Sequence, residues 1–301
     1  MYSTILAALL ALSSTQRVSA LPARRAITDP EVLNFALTLE HLEATFYKDS
    51  LAKFSEADFS AAGYPDWTRG RFVQIQQHES THVDFLTTAL ETAGAPAVQA
   101  CEYDFPVTDV HSFVNLARVL EEVGTNAYTG GAQLIDNKDY LTAAASILAV
   151  EARHEAWISS AVFKASAWDT AFETPLLPNA VYSLAAPFIK SCPAANVNSL
   201  PALKPYPALG FADANPRAGH TASLTFTAPK DSSPLFVAFV SGPGAPTFVP
   251  IHDGNQVAIP KDLRGFVFCF VTNDGTKLDD STTVAGPAIL NVEFDSRGNV
   301  V

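Results

Sequence analysis

The sequence predicts an α+β chain of two domains: a four-helix bundle with one long crossover, followed by a small C-terminal β-sandwich. Three observations carry this reading. Four long segments between about residues 29 and 168 place apolar residues at helical spacing. Two E-x-x-H sequences, Glu79-Ser-Thr-His82 and Glu151-Ala-Arg-His154, sit in the second and fourth of those segments. After Cys192 the composition changes, first to prolines and then to short apolar runs bounded by Gly, Pro and Asp.

The elements follow in order. Residues 1–20 read as a signal peptide, with an apolar run from Ile5 to Leu12 and a small-x-small cleavage site at Val18-Ser19-Ala20. That places the mature chain outside the cell, in the medium or the cell wall. The bundle is expected over 28–193. Its first helix opens at Asp29-Pro30, a capping residue followed by a first-turn proline, and runs to about Lys53. The second runs from near Asp66 to Gly94, and the third from Asp109 into Gly130-Gly131. The fourth extends from about Asp139 to Trp168, with no internal Gly or Pro. A short fifth helix spans Asn179 to Lys190. The brief link at Asn137-Lys138 makes the third and fourth helices antiparallel neighbours, while the stretch from Ala95 to Asp109 is long enough for a crossover. A proline-rich linker is expected over 194–219 and the β-sandwich over 220–301.

Composition narrows the function classes. Nearly half of the 301 residues are apolar (48%), enough for a sizeable core. The formal charge of −12, without a basic run, argues against nucleic acid and anionic membrane and favours cations as partners. No stretch is long and apolar enough to span a bilayer. Of the three cysteines, Cys101 and Cys192 lie in loop-like segments and are expected to pair, while Cys269 sits in an apolar strand as a buried free thiol.

The chemistry concentrates in the helices. Positions three apart share a helix face, so each E-x-x-H offers a carboxylate and an imidazole in one direction. An internal comparison supplies the remaining ligands. Leu39-Glu40 with Tyr47 aligns with Leu120-Glu121 with Tyr128, and each segment precedes its own E-x-x-H helix. A helix pair repeated twice is what a pseudo-twofold metal cage requires. The expected ligands are Glu40, Glu79, His82, Glu121, Glu151 and His154. Glu43 shares a face with Glu40 but aligns with Gly124, which cannot ligate, so Glu43 reads as a neighbour of the ligands. Tyr47 and Tyr128 read equally as hydrogen-bond partners of ligand carboxylates and as core tyrosines. Four carboxylates and two neutral imidazoles balance two divalent cations, and this oxygen-rich set suits iron or manganese better than structural zinc.

Two rivals compete with the cage. His78-Glu79-Ser80-Thr81-His82 also fits the H-E-x-x-H of zinc peptidases, with His78 and His82 as ligands and Glu79 as base. That reading leaves the second motif and the repeat unexplained. The other rival is a structural, wall-associated protein whose metal site is vestigial and whose β-domain binds wall polymer.

The segments LTLEHLEATFY, QQHESTHVDFL, CEYDFPVTDVHSFV, LEEVGTNAYTGGA, AAASILAVEARHEAWI and VYSLAAPFIKSCP resemble the ferritin-like superfamily. Within it they are similar to secreted fungal ferritin-like proteins of the late-sexual-development and stress-response type. The resemblance covers about 28–193. It implies a di-iron-type carboxylate centre on the six residues named above. The expected cofactor is two iron ions (manganese or zinc as alternatives), and the expected partners are dioxygen, peroxide or the metal itself. A signal peptide, an attached β-domain and a disulfide set the chain apart from iron-storage ferritins.

Overall fold

A computed structural model of the protein describes residues 27–230 and 234–301. The expected signal peptide lies outside the described residues. Six α-helices carry the N-terminal part: α1 (Asp29–Lys53), α2 (Glu56–Ala61), α3 (Trp67–Thr92), α4 (Val110–Gly131), α5 (Lys138–Trp157) and α6 (Pro178–Ala185). Local chemistry starts three of the four long helices where they begin. At α1 the Thr28 backbone N–H donates to Glu31 Oε2 at 2.9 Å, and Pro30 occupies the first turn. Asp109 accepts from Ser112 N at 2.7 Å to cap α4, and Asn137 accepts from Asp139 N at 2.8 Å to cap α5. Asp29 also accepts from the backbone of Asp136 (2.8 Å) and Asn137 (2.9 Å), which ties the start of α1 to the α4–α5 turn.

Two helices differ from the sequence reading. The fourth long helix ends at Trp157 rather than near Trp168, passing into a π-helical turn, Ile158–Val162. Lys164 then adopts φ 59°, a left-handed conformation that turns the chain away. The fifth expected helix stops at Ala185, continues as a 3₁₀ turn at Ala186–Phe188, and gives way to a strand, β2 (Ile189–Ser191). Pro187 has no N–H with which to extend an α-helix. β2 pairs antiparallel with β1 (Glu102–Tyr103) from the crossover. The Cys101–Cys192 disulfide stands beside that pair, as expected.

In the bundle α1 packs along α3 and α4 along α5, with α1 also against α4. Phe46, Phe72 and Phe113 form an aromatic centre, with the Phe72 and Phe113 rings 4.9 Å apart.

The C-terminal part holds two antiparallel sheets. A three-stranded one runs in the order β3 (Leu209–Phe211), β4 (Thr221–Phe226), β7 (Gln256–Ala258). A four-stranded one runs β6 (Thr247–Pro250), β5 (Phe236–Val240), β8 (Gly265–Thr272), β9 (Thr283–Val292). β3 falls inside the stretch read as linker, and it pairs with β4 from Leu209 to Phe211. Every residue of β8 is buried, because each face of its sheet is covered. Val267, Cys269 and Val271 enter a core shared with Leu224 and Val257 of the smaller sheet. Phe268 and Phe270, on the alternate face, join the core of the helical bundle. Cys269 is accordingly a buried free thiol. Among the described residues no helix is long and apolar enough to cross a membrane.

Candidate metal centre

Each of the four long helices contributes to one buried cluster. Glu40 comes from α1, Glu79 and His82 from α3, Glu121 from α4, and Glu151 and His154 from α5. The six residues form two quartets that could each hold a cation: Glu40, Glu79, His82 and Glu151, and Glu79, Glu121, Glu151 and His154. Within a quartet the candidate ligand atoms lie within 4.8 Å of one another. Glu79 and Glu151 belong to both quartets, and the other four residues divide evenly between them.

Both imidazoles present Nδ1 inward. His82 Nδ1 lies 3.2 Å from Glu40 Oε2 and from Glu79 Oε2, and 3.3 Å from Glu151 Oε1. His154 Nδ1 lies 3.1 Å from Glu121 Oε2 and 3.2 Å from Glu79 Oε1. Glu79 thus turns one oxygen toward each half. The tyrosines cross between halves: Tyr47 of α1 donates to Glu121 Oε1 at 2.5 Å, and Tyr128 of α4 donates to Glu40 Oε1. In each half a phenol holds Oε1 of the glutamate and leaves Oε2 facing the imidazole. The internal repeat shows the matched tyrosines but not this exchange, since it compares helices in pairs and carries no information on which glutamate each phenol reaches.

The electrostatics are those of a site built around positive charge. Burial pushes Glu40 up to about 7. Glu151 is raised well above the carboxylate range, first by burial and then by Glu79 and Glu121. Burial disfavours the imidazolium of His82, but the surrounding carboxylates of Glu151, Glu40 and Glu79 outweigh it and push His82 up to about 12. Against the same cost of burial, Glu121 and Glu79 carry His154 up to about 11. Glu79 moves the other way, to about 2: burial would raise it, but two imidazoles hold its charged form. Burial also raises both phenols, followed by the charges of Glu121 on Tyr47 and Glu40 on Tyr128, so both stay protonated as donors.

Even with both imidazoles charged the cluster is not satisfied. Glu79 Oε1 and Glu151 Oε1 lie in ion-pair range of an imidazole but accept no well-directed hydrogen bond, and Glu151 Oε2 has no partner at all. An orphaned buried polar group costs roughly 1–3 kcal/mol, and a charged one more. These three oxygens belong to the two residues common to both quartets. The donor set, four carboxylates with two imidazole nitrogens, fits a pair of divalent cations in charge and in ligand type.

His78 enters neither quartet. Its Nδ1 meets His154 Nε2 at 2.9 Å and the rings stack with centroids 5.2 Å apart, so it orients His154 from outside. Glu43 is buried beside the cage. A Cβ on Gly124 would stand 2.9 Å from Glu151 Oε2 and 3.0 Å from Glu43 Oε1, so a larger residue there would crowd both carboxylates.

The ferritin-like domain family matches residues 28–164. Over those residues the helical part of this chain is similar to a ferritin-like domain. Protein rds1 of Schizosaccharomyces pombe is 29% identical over 170 residues, which are 56% of this chain and 41% of that protein. The chain therefore spans about two-fifths of the relative it matches. A conserved hypothetical protein of Mycobacterium tuberculosis, rv2844, superposes with a TM-score of 0.38 at 20% identity, over 47% of this chain and 94% of that one. The match to the ferritin-like domain ends at 164, just past the π-helical turn, and contains all six cage residues.

Proposed function

We propose that this chain is a secreted di-metal carboxylate protein that holds two iron ions and reacts with dioxygen or peroxide. The observation that carries the reading is the pair of quartets sharing Glu79 and Glu151, whose oxygens lack well-directed hydrogen bonds and are the two sets' common ligands. Glu40 and His82 would complete one site, Glu121 and His154 the other. Bound iron would supply electrons to a small oxidant. The chain's own residues set the conditions. Tyr47 and Tyr128 fix the rotation of Glu121 and Glu40 and keep one oxygen of each toward the centre. The aromatic packing beside Tyr47 excludes water, with Phe72 stacked 6.2 Å from it. Export to an oxidising compartment is supported by the Cys101–Cys192 disulfide.

Metal analysis of chain purified without chelator tests this, with about two metal ions per chain expected and iron the dominant one. Manganese or zinc in that ratio would keep the cage and change the cofactor. Glu79→Ala combined with His154→Ala should abolish stoichiometric metal, and unchanged content would sink the proposal. His78→Ala should leave the content nearly unaltered, whereas a zinc peptidase would lose its single ion.

A further inference from the structure

Beside the cage, between α1, α4 and α6, lies a cavity of about 120 Å³. Its walls are apolar, among them Leu42, Val119, Leu184 and Phe188, and Glu43 is the one acidic or otherwise polar side chain that lines it. Glu43 is 4% exposed and, among the described residues, takes no hydrogen bond or ion pair. Gly124 lines the same cavity. The position a Cβ would take there lies within 3.0 Å of Glu43 Oε1 and 2.9 Å of Glu151 Oε2, so the missing side chain leaves a window through which the two carboxylates approach one another.

We propose that this cavity is a binding chamber for a small, uncharged, apolar organic molecule, held against Glu43 at the edge of the metal cage. The inference rests on the metal reading above and names the substrate class of that site. The chemistry selects the occupant. An anion would meet Glu43 with the cage carboxylates behind it, and a molecule with more than one polar group would find no partner in the lining beyond Glu43. An apolar cavity of roughly 150 Å³ binds benzene and stays free of water, so a chamber of this size takes a ring or a short hydrocarbon. Entry does not require unfolding, because Val119, Leu184 and Phe188 are only half-buried. Glu43 is too confined to swing to solvent and has no competing partner, so it faces whatever enters.

Benzene is the probe, added to metal-loaded full-length chain and to two filled variants. Ala185→Phe fills the chamber from its buried wall, and Leu184→Phe narrows it from the half-buried mouth should the first variant fold poorly. Saturable one-to-one binding to the unmodified chain, weakened tenfold or more in a folded variant with metal per chain unchanged, is the expected result. On the cobalt-loaded protein, benzene should also shift the visible absorption bands, which a distant surface site would not do. Absence of binding, or equal affinity in unmodified and filled chains, overturns the chamber. Saturable binding to an unmodified chain that proves to take up no metal supports the chamber and separately overturns the metal reading.

Discussion

Glu121 and Glu122 are neighbours in α4, yet they enter two clusters of buried carboxylates resolved by opposite means. Glu121 belongs to the cage, where Nδ1 of an imidazole stands in each half and three oxygens accept no well-directed hydrogen bond. Glu122 belongs to a cluster where the bundle meets the four-stranded sheet, with Glu155, Asp169 and Glu173 near it. There the oxygens are engaged. Asn126 Nδ2 donates to Glu122 Oε1 at 2.5 Å, Glu122 hydrogen-bonds Asp169, and Ser159 donates to Glu155. Gly265 of β8 makes room for Asp169, whose carboxylate occupies the place of any Cβ. Arg118 lies 3.8 Å from Glu155 and commits its shorter ion pair to Glu293 at 2.8 Å. Burial raises Glu122, Glu155 and Asp169, the last to about 7. The interface cluster settles its charge by keeping protons. The cage has unused lone pairs converging on shared points, which protons on two imidazoles do not fill. The neighbours of the acids, rather than their number, decide which solution is used.

Removing metal should break the comparison most visibly. Each site held at a thousandfold its Kd adds about 4 kcal/mol, and one kcal/mol is worth about 2–4 °C in a chain of this size. Chelation should therefore lower the melting temperature by roughly 15 °C or more, and an unchanged melting curve would make the two clusters alike. Reloading should release protons, because cations displace those on His82 and His154, held up to about 12 and about 11. Affinity should accordingly fall as pH drops, measurable by titration in two buffers.

A smaller effect is expected at the interface. Asp169 holds its proton up to about 7 when folded, against an ordinary value of 3.8, so it binds protons more tightly in the native state. Its contribution is complete below pH 3.8 and lost as pH rises through about 7. Asp169→Asn keeps the shape and cannot ionise. It should flatten the decline in stability across that window by about 2–4 kcal/mol, a value shared with Glu122. Denaturant melts at pH 4.5 and 7.5 would show it, and an identical slope in both proteins would refute the proton-keeping account.

The finest test lies within the cage. Tyr47→Phe removes the donor to Glu121 and should weaken metal binding about 10–100-fold, chiefly in the quartet containing His154. Equal weakening of both sites would mean that the phenols act on the cage as a whole.

Sequence carried the cage and missed its surroundings for one physical reason. Glu79 with His82 and Glu151 with His154 are local pairs, fixed by helix spacing, and the repeat around Glu40 and Glu121 extends the pattern to all four helices. The fold class was legible for the same cause, since long periodic helices and short punctuated strands announce themselves. Asp169 reaches Glu122 only because α5 ends in a π turn and Lys164 reverses the chain, which no Gly or Pro foretells. The β1–β2 pair and β3 are two or three residues long, too short for a period to register. Ser55 with Asp58 spells a capping box for α2, a local signal that the sequence does carry.

The Cys101–Cys192 bridge spans 91 residues and divides the cage covalently. Glu121, Glu151 and His154 lie within the closed ring, while Glu40, Glu79 and His82 lie on the arm that precedes it. Of the two residues common to both quartets, Glu151 is inside and Glu79 outside. Any cation seated there would join ring and arm a second time, beside the packing of Phe46 and Phe72 on Phe113 that already holds them together.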